Sequence, residues 1–332
     1  MVEKNRIEEV AKLAGVSPTT VSRVINKILT VKQSNRLKVE EAIRKLKFKP
    51  NVIAQRLAKG RSDIIALVIP RYEGIFFSFY ANQIIRGVGV ATENRKLDML
   101  LHLTKEKDSI DTASVGGIIF ADVIANREEL KNVIESGTPC VVVNNRVNDL
   151  DVDYVAIDNK NGAVQAIEYL ISLGHRSIAH ITGDLMSQAA DDRLEGYKMA
   201  LKNKNIKIKD EYIRRGDYSR PSARKEMSAL LKLKPMPTAI FTSSDDMAQE
   251  AISVILEKGL KVAEDISVIG FDDNPICLYG SVGLTTVRQP LIDMAAKATG
   301  LLHKKMLSKA AKSSTKIILP TELIIRDSCR KI

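Results

Sequence analysis

Tryptophan is absent, and aromatic residues make up only 5% of the 332 residues. Any stacking on a ring-shaped ligand therefore falls to a Phe or a Tyr. Cysteine is scarce too. Cys140, Cys277 and Cys329 are odd in number, far apart and without metal-ligand spacing. Neither a disulfide framework nor a metal site is expected, and a reduced, cytoplasmic protein is the simple reading. No apolar run reaches the about 18 residues that suggest a membrane span. The opening MVEKNRIEEVAK is charged from its third residue and lacks the apolar core of a signal peptide, so neither export nor a membrane partner is expected. No G-x-G-x-x-G, P-loop or G-x-S-x-G motif occurs. No nucleophile–base pair is readable, although such pairs are often distant in sequence. A non-enzyme with no catalytic residues and no cofactor is the expectation.

What the chain does have is an uneven charge. Its formal net charge is +11, and residues 1–61 hold 15 Lys and Arg against 5 Asp and Glu, while the rest hold 36 against 35. A basic module joined to a near-neutral body is the footprint of a nucleic-acid binder, because phosphates attract that charge and release counterions. A merely Lys-rich, soluble surface has the same composition.

The basic module reads as three short helices. Asn5 followed by Glu8 resembles a capping box opening the first. Ile7, Val10, Ala11 and Ala14 then share one face. Gly15 suits a left-handed turn. Ser17 is a good N-cap and Pro18 a good first helical residue. Val21, Val24 and Ile25 form the buried stripe of the second helix. A third is expected from Gln33 to Leu46, with Leu37, Val39, Ile43 and Leu46 apolar. Thr19, Thr20, Ser22 and Arg23 are then short or forked polar groups at the start of helix two. This is helix-turn-helix chemistry, in which the second helix enters the major groove N-terminus first. Arg23 suits a bidentate guanine contact, and Ser17 and Ser22 suit phosphates. A purely structural three-helix bundle is the alternative.

Residues 51–61 form a short amphipathic linker, closed by Gly60, Arg61 and Ser62. From Ile64 the pattern changes to apolar runs: 64–69, 98–103, 117–120, 140–143, 177–181, 238–241 and 267–270. Helical stretches separate most of them: 80–93, 126–135, 161–173, 191–202, 222–231 and 245–257. Alternation of this kind implies doubly wound parallel sheets, and the strands are too many for one comfortable sheet. The expected architecture is α/β, with a small all-α domain at 1–50, a hinge at 51–61 and two lobes over 62–332. A shared ligand site belongs beyond the carboxyl ends of the strands. Only about a dozen residues join the runs ending at Leu103 and beginning at Gly117, which is near the minimum for a parallel crossover. Any helix there is expected to be short or absent.

The stretch VAKLAGVSPTTVSRVIN resembles the signature of the family of the lac and purine repressors. The body resembles it too, in order and spacing: DNKNGAVQAIEYLISLGHRSIAHITG, DRLEGYKMAL, DISVIGFDD, LTTVRQP and LPTELIIRDSC. The resemblance covers essentially the whole chain. It implies a periplasmic-binding-protein-like body with three crossing strands, a homodimer, a palindromic double-stranded DNA operator and a small-molecule effector, a sugar first and a purine or nucleoside second. It implies DNA contacts from Ser17, Pro18, Thr19, Thr20, Ser22, Arg23 and Asn26. It also implies a hinge helix that orders on DNA, with Ala54 and Leu57 on its groove-facing side. An apolar wedge of that kind costs unstacking and returns a bent, better-wrapped duplex.

For the effector the resemblance points to Phe79, Tyr80, Arg193, Ser244, Asp245, Asp272 and Gln289. Arg193 presents forked donors to hydroxyls or carboxylates, and Asp272 accepts from hydroxyls. Phe79 and Tyr80 suit ring stacking or plain core equally. Ser244 stands where the family usually has Asn, and Arg146 lies one residue later than usual, which leaves the effector class open. His175 and His180 lack partners at metal spacing and read as structural. An exported sugar-binding protein of the same body fold is the second rival, and it would need a signal peptide and no helix-turn-helix.

Overall fold

The structure is a computed structural model that describes residues 2–25, 28, 30–48, 62–71, 74–104, 109–124, 126–308 and 313–332. The expectations for Asn26, Ala54, Leu57 and the 51–61 hinge lie outside the described residues. Packing divides the chain into two compact units, 1–63 and 64–332.

The first unit holds α1 (Val2–Ala14), α2 (Pro18–Ile25) and α3 (Gln33–Lys45) around Val10, Ala14, Val21, Val24, Val39 and Phe48. Gly15 takes φ +65°, and the Val16 N–H donates to the Ala11 carbonyl at 3.1 Å, closing α1. Two expectations change. Asn5 lies inside α1 rather than at its cap, because Glu3 and Lys4 are good helix formers and extend the helix upstream. Leu37 and Leu46 are 59% and 42% exposed, not core. Val39, Ala42 and Phe48 already fill the inward face of the small bundle.

The second unit contains two parallel sheets. In the first, the order is β11-β5-β4-β3-β1-β2, with β1 at Ile64–Pro70, β2 at Asp98–Thr104, β3 at Gly117–Ala121, β4 at Cys140–Val143, β5 at Asp153–Ile157 and β11 at Lys316–Leu319. Alternate residues of β1 serve opposite faces. Ile65, Leu67 and Ile69 pack with α4 (Phe79–Glu93) and α10 (Leu291–Leu307). Ala66 and Val68 pack with α5 (Arg127–Glu135). A strand buried on both sides explains the continuous apolar run.

The second sheet has the order β7-β6-β8-β9, from β6 (Ile178–Ile181), β7 (Ile213–Arg214), β8 (Ala239–Thr242) and β9 (Ser267–Ile269). On one face lie α6 (Asn159–Ser172) and α7 (Gln188–Asn203), and on the other α8 (Arg220–Leu230) and α9 (Asp245–Glu257). Gly196 lets α7 approach α6 closely, since a Cβ there would sit 2.2 Å from the Lys160 carbonyl oxygen. β10 (Thr286–Arg288) and β12 (Glu322–Ile324) pair antiparallel beside this sheet. The chain passes between the lobes three times: from β5 into α6, from β10 into α10 and from β11 into β12.

The connection from β2 to β3 carries only a 3-10 turn, Thr112–Ser114, among its described residues. A buried carboxylate holds it. Glu129 of α5 accepts from the Ile110 N–H at 2.9 Å and from the Thr104 hydroxyl at 3.2 Å. Ile110 and Val115 then bury their side chains where a crossover helix would otherwise pack.

Candidate functional site

In the first unit the start of α2 is pinned by Ser17. Its hydroxyl accepts from the Thr20 N–H at 3.2 Å and lies 2.9 Å from the Thr20 hydroxyl. Pro18 occupies the first helical position, as its missing N–H and fixed φ favour. Val21 and Val24 face the core, which leaves Ser17, Pro18, Thr19 and Arg23 exposed and Thr20 and Ser22 half-buried. The unit thus offers short polar groups and one guanidinium from the N-terminal turns of a fixed helix.

In the second unit, strand ends of both lobes converge on one cleft. Arg193 of α7 is 3% exposed and lies over the Phe271 ring, 3.7 Å from its centre. Its Nε and Nη2 donate to the Asn159 amide oxygen at 3.0 and 2.8 Å, and its Nη1 donates to the Ser243 carbonyl. Asp272 follows β9, and the Gln289 amide donates to it. Asp122 follows β3 in the other lobe and accepts from the Asn144 amide at 2.8 Å. The Tyr80 hydroxyl lies against the same carboxylate. Burial pushes the Asp122 carboxyl up to about 6, against the lowering effect of Asn144, Tyr80 and Arg193. Burial and the neighbouring Asp245 hold Asp272 well above the usual carboxylate range.

Beside these groups an open pocket of about 270 Å³ lies between the lobes, lined by Asn145, Arg146 and Val123 on one side and Met186, Ser187 and Asp191 on the other. Arg146 bridges it. Its guanidinium pairs with Asp192, its N–H donates to the Gln188 side chain at 2.6 Å, and its carbonyl accepts from that amide at 3.3 Å.

Of the sequence-predicted effector residues, Tyr80, Arg193, Asp272 and Gln289 meet here. Phe79 is half-buried and packs against the first lobe's core. Ser244 and Asp245 serve the frame instead. The Ser244 hydroxyl caps α9 by accepting from the Met247 N–H. Asp245 accepts from the Thr286 hydroxyl and, at 2.8 Å, from the Asn274 N–H. The sequence reading missed Asp122, Asn159, Gln188, Asp192 and Tyr218. Backbone offers one signal: Asp122, Asn144, Tyr218 and Asp272 all take positive φ, at 65°, 66°, 70° and 132°. Non-glycine residues held there concentrate at functional sites. Gly183 makes room for Tyr218, whose ring a Cβ would meet at 2.1 Å.

His175 and His180 serve the frame. His180 stacks between Tyr197 and Phe241 and, held near 4 by burial, is neutral. His175 ties Thr238 to the Arg330 carbonyl. No group of three or more metal-ligand residues occurs among the described residues, and no described helix is long and apolar enough to cross a membrane.

A basic helix-turn-helix unit and a two-lobed parallel α/β body with a polar cleft define a DNA-binding regulator that carries a ligand-binding body. The family model of bacterial regulatory proteins, lacI family, matches residues 6–51, and that of the periplasmic binding protein-like domain matches 167–329. The probable HTH-type transcriptional repressor ExuR of Bacillus subtilis (strain 168) is 36% identical, with 98% of both chains covered. Among solved structures, the lac repressor dimer bound to operator and the anti-inducer ONPF superposes with a TM-score of 0.83 at 26% identity, covering 97% of this chain and 98% of that one. The transcriptional regulator CelR in complex with cellobiose gives 0.74 at 30%, covering 97% and 99%. This chain belongs to the lacI family of bacterial regulatory proteins, and it is a DNA-binding transcriptional regulator.

Proposed function

We propose that the chain is a repressor that grips a palindromic operator as a dimer and changes its grip when a small, hydroxyl-rich effector occupies the inter-lobe cleft. One observation carries the reading: the start of α2 exposes Ser17, Pro18, Thr19 and Arg23 from a helix whose other face is buried. In this reading Arg23 pairs with a guanine, the Thr19 and Thr20 hydroxyls touch bases or phosphates, and Ser17, Ser22 and Asn26 hold the backbone. Residues 1–50 read DNA, 51–61 form the hinge, with Ala54 and Leu57 toward the minor groove, and 62–332 bind effector and partner.

The second copy has a surface on each lobe. Leu278 and Tyr279 are 63% and 82% exposed on one, and Val90 and Leu100 are 51% and 43% exposed on the other. In this reading these side chains are covered by the second copy. Two-fold symmetry then sets the half-site spacing. The relatives add support, since one solved neighbour is a dimer on its operator and another holds cellobiose.

The effector acts by differential affinity for two arrangements of the lobes. The cross-lobe bonds of Arg146 to Gln188 and Asp192 are the contacts such a change breaks or makes. A sugar is the first class and a purine or nucleoside the second. No catalytic step enters, and the protein works in the cytoplasm beside its DNA. The test is selection of random duplexes by the purified protein at one stated salt concentration, with and without a pool of sugars and nucleosides. Enrichment of a palindrome that shifts with the pool supports the reading. Enrichment of nothing reduces the basic unit to a non-specific DNA binder.

A further inference from the structure

Two carboxylates reach the cleft from opposite lobes, and each is clamped by a primary amide. Asp122 takes the amide nitrogen of Asn144, and Asp272 takes that of Gln289. An ionised carboxylate accepts and does not donate, so each amide turns its N–H₂ toward it, as in the structure, and leaves its oxygen over. Those two oxygens, Asn144 Oδ1 and Gln289 Oε1, are buried without a partner, in side chains whose residues are only 6% and 7% exposed. The site is therefore rich in acceptors on both sides, and a buried acceptor left open is costly until something donates to it.

Among the described residues, positive charge is in short supply there. Arg193 acts electrostatically on both Asp122 and Asp272, so one guanidinium serves two carboxylates. Three of its five N–H bonds already go to Asn159 and to the Ser243 carbonyl. At the adjoining cavity Arg146 is paired with Asp192 and Arg127 with Asp149. Burial raises both cleft carboxyls rather than lowering them, as expected where ionised groups lack countercharge.

Resting on the effector reading above, we propose that Asp122, matched with Asp272 across the cleft, sets the charge of the effector: the site takes a ring bearing several hydroxyls, or hydroxyls and an amine, and rejects one bearing an acid. The hydroxyls donate to the two amide oxygens and the two carboxylates. An anionic group meets two acids and a cation whose donors are largely spent. Asp122 is thus a specificity-determining residue, and its left-handed backbone, at φ 65°, is the strain that aims it.

The test uses the full-length protein and three matched sets of probes: glucose, glucosamine and glucuronate; galactose, galactosamine and galacturonate; and cytidine, adenosine and their 5′-monophosphates. Binding is measured by titration calorimetry for the wild type, Asp122→Asn and Asp272→Asn, each checked for folding by circular dichroism. The expected result is that, in the set that binds, the neutral or amino member binds at least tenfold tighter than its acid. Asp122→Asn is expected to shrink that ratio several-fold, and if that variant fails to fold, Asp272→Asn gives the same readout from the other lobe. An acid that binds tightest overturns the charge rule while leaving the cleft as an effector site. A ratio unmoved by both variants removes Asp122 and Asp272 as its cause. Binding of no probe by any of the proteins overturns the effector reading, and this proposal with it.

Discussion

The two surfaces proposed to carry function in this protein are built in opposite ways. The start of α2 draws on seven consecutive positions, 17–23, whose working side chains are mostly exposed and lightly bonded. The cleft draws on Tyr80, Asp122, Asn144, Arg193, Asp272 and Gln289, which come from six separate segments and are bonded to one another or to the frame. The first surface waits for a large, highly charged partner that supplies its own organisation. The second is bonded in advance, as suits its proposed small-molecule ligand, which has few contacts to spend on ordering a site. Changes at the two surfaces should therefore separate: loss of recognition without loss of fold in one, loss of both in the other.

The largest effect is expected at Arg193. Arg193→Ala strands the Asn159 amide oxygen and the Ser243 carbonyl in a buried place, at a cost of about 3 kcal/mol, and it abolishes the response to effector. Denaturant unfolding and operator-release assays check both halves. A stable variant that still responds would put Arg193 outside the site and blur the contrast. Arg23→Ala is the counterpart. Base discrimination falls by about 2 kcal/mol at one operator position, while unfolding shifts by no more than about 0.5 kcal/mol, as for other exposed positions. Competition binding against single-base operator variants measures the first, and an equal loss on every sequence means that Arg23 holds only phosphate.

A control separates fold from function inside the body. Glu129→Ala removes the carboxylate that closes the short β2–β3 connection and leaves the Ile110 N–H buried. It should cost about 1–2 kcal/mol with effector affinity unchanged. A changed affinity shows that this connection reaches the cleft.

The smallest effect has the opposite sign. Asp122 sits near 6 in the folded protein, above the about 3.9 of an unfolded Asp. A group raised in this way favours the folded state below about pH 4 and loses that contribution as pH rises through about 6. With Asn144, Tyr80 and Arg193 around it, Asp122→Asn should stabilise the effector-free protein at pH 7.5 by about 1 kcal/mol, a few degrees in Tm. That gain should fade between pH 6 and 4. A gain constant with pH locates its origin in packing instead of charge.

Legibility followed the same divide. Ser17 as cap, Pro18 as first helical residue and the buried Val21–Val24 stripe all stand where local rules put them. β1, β3 and β4 appear as continuous apolar runs because both of their faces are covered. β7, β10 and β12, of two or three residues, have no expected run in the sequence, and neither do the longer β5 and β11. Helix α10 was overlooked even though Leu291, Met294, Ala295, Ala298 and Leu302 show helical spacing. Within the cleft, Arg193 and Asp272 came from family resemblance, but Asp122 follows an apolar strand as an ordinary turn acid and nothing local marks it.

By itself the sequence determined the longer and more regular of the elements, the charge division at the end of the basic segment and the exposed polar start of α2, because these depend on neighbours within a few residues. Only the tertiary structure decided which polar side chains work together. Ser244 and Asp245, adjacent to each other and apparently suited to a ligand, are consumed by the α9 cap and by Thr286 and Asn274. Asp122 and Asp272, 150 positions apart, come under one guanidinium. Hydrogen bonds and charges act over a few ångströms of space, and in a body crossed three times by its chain, that distance bears no relation to separation along the sequence.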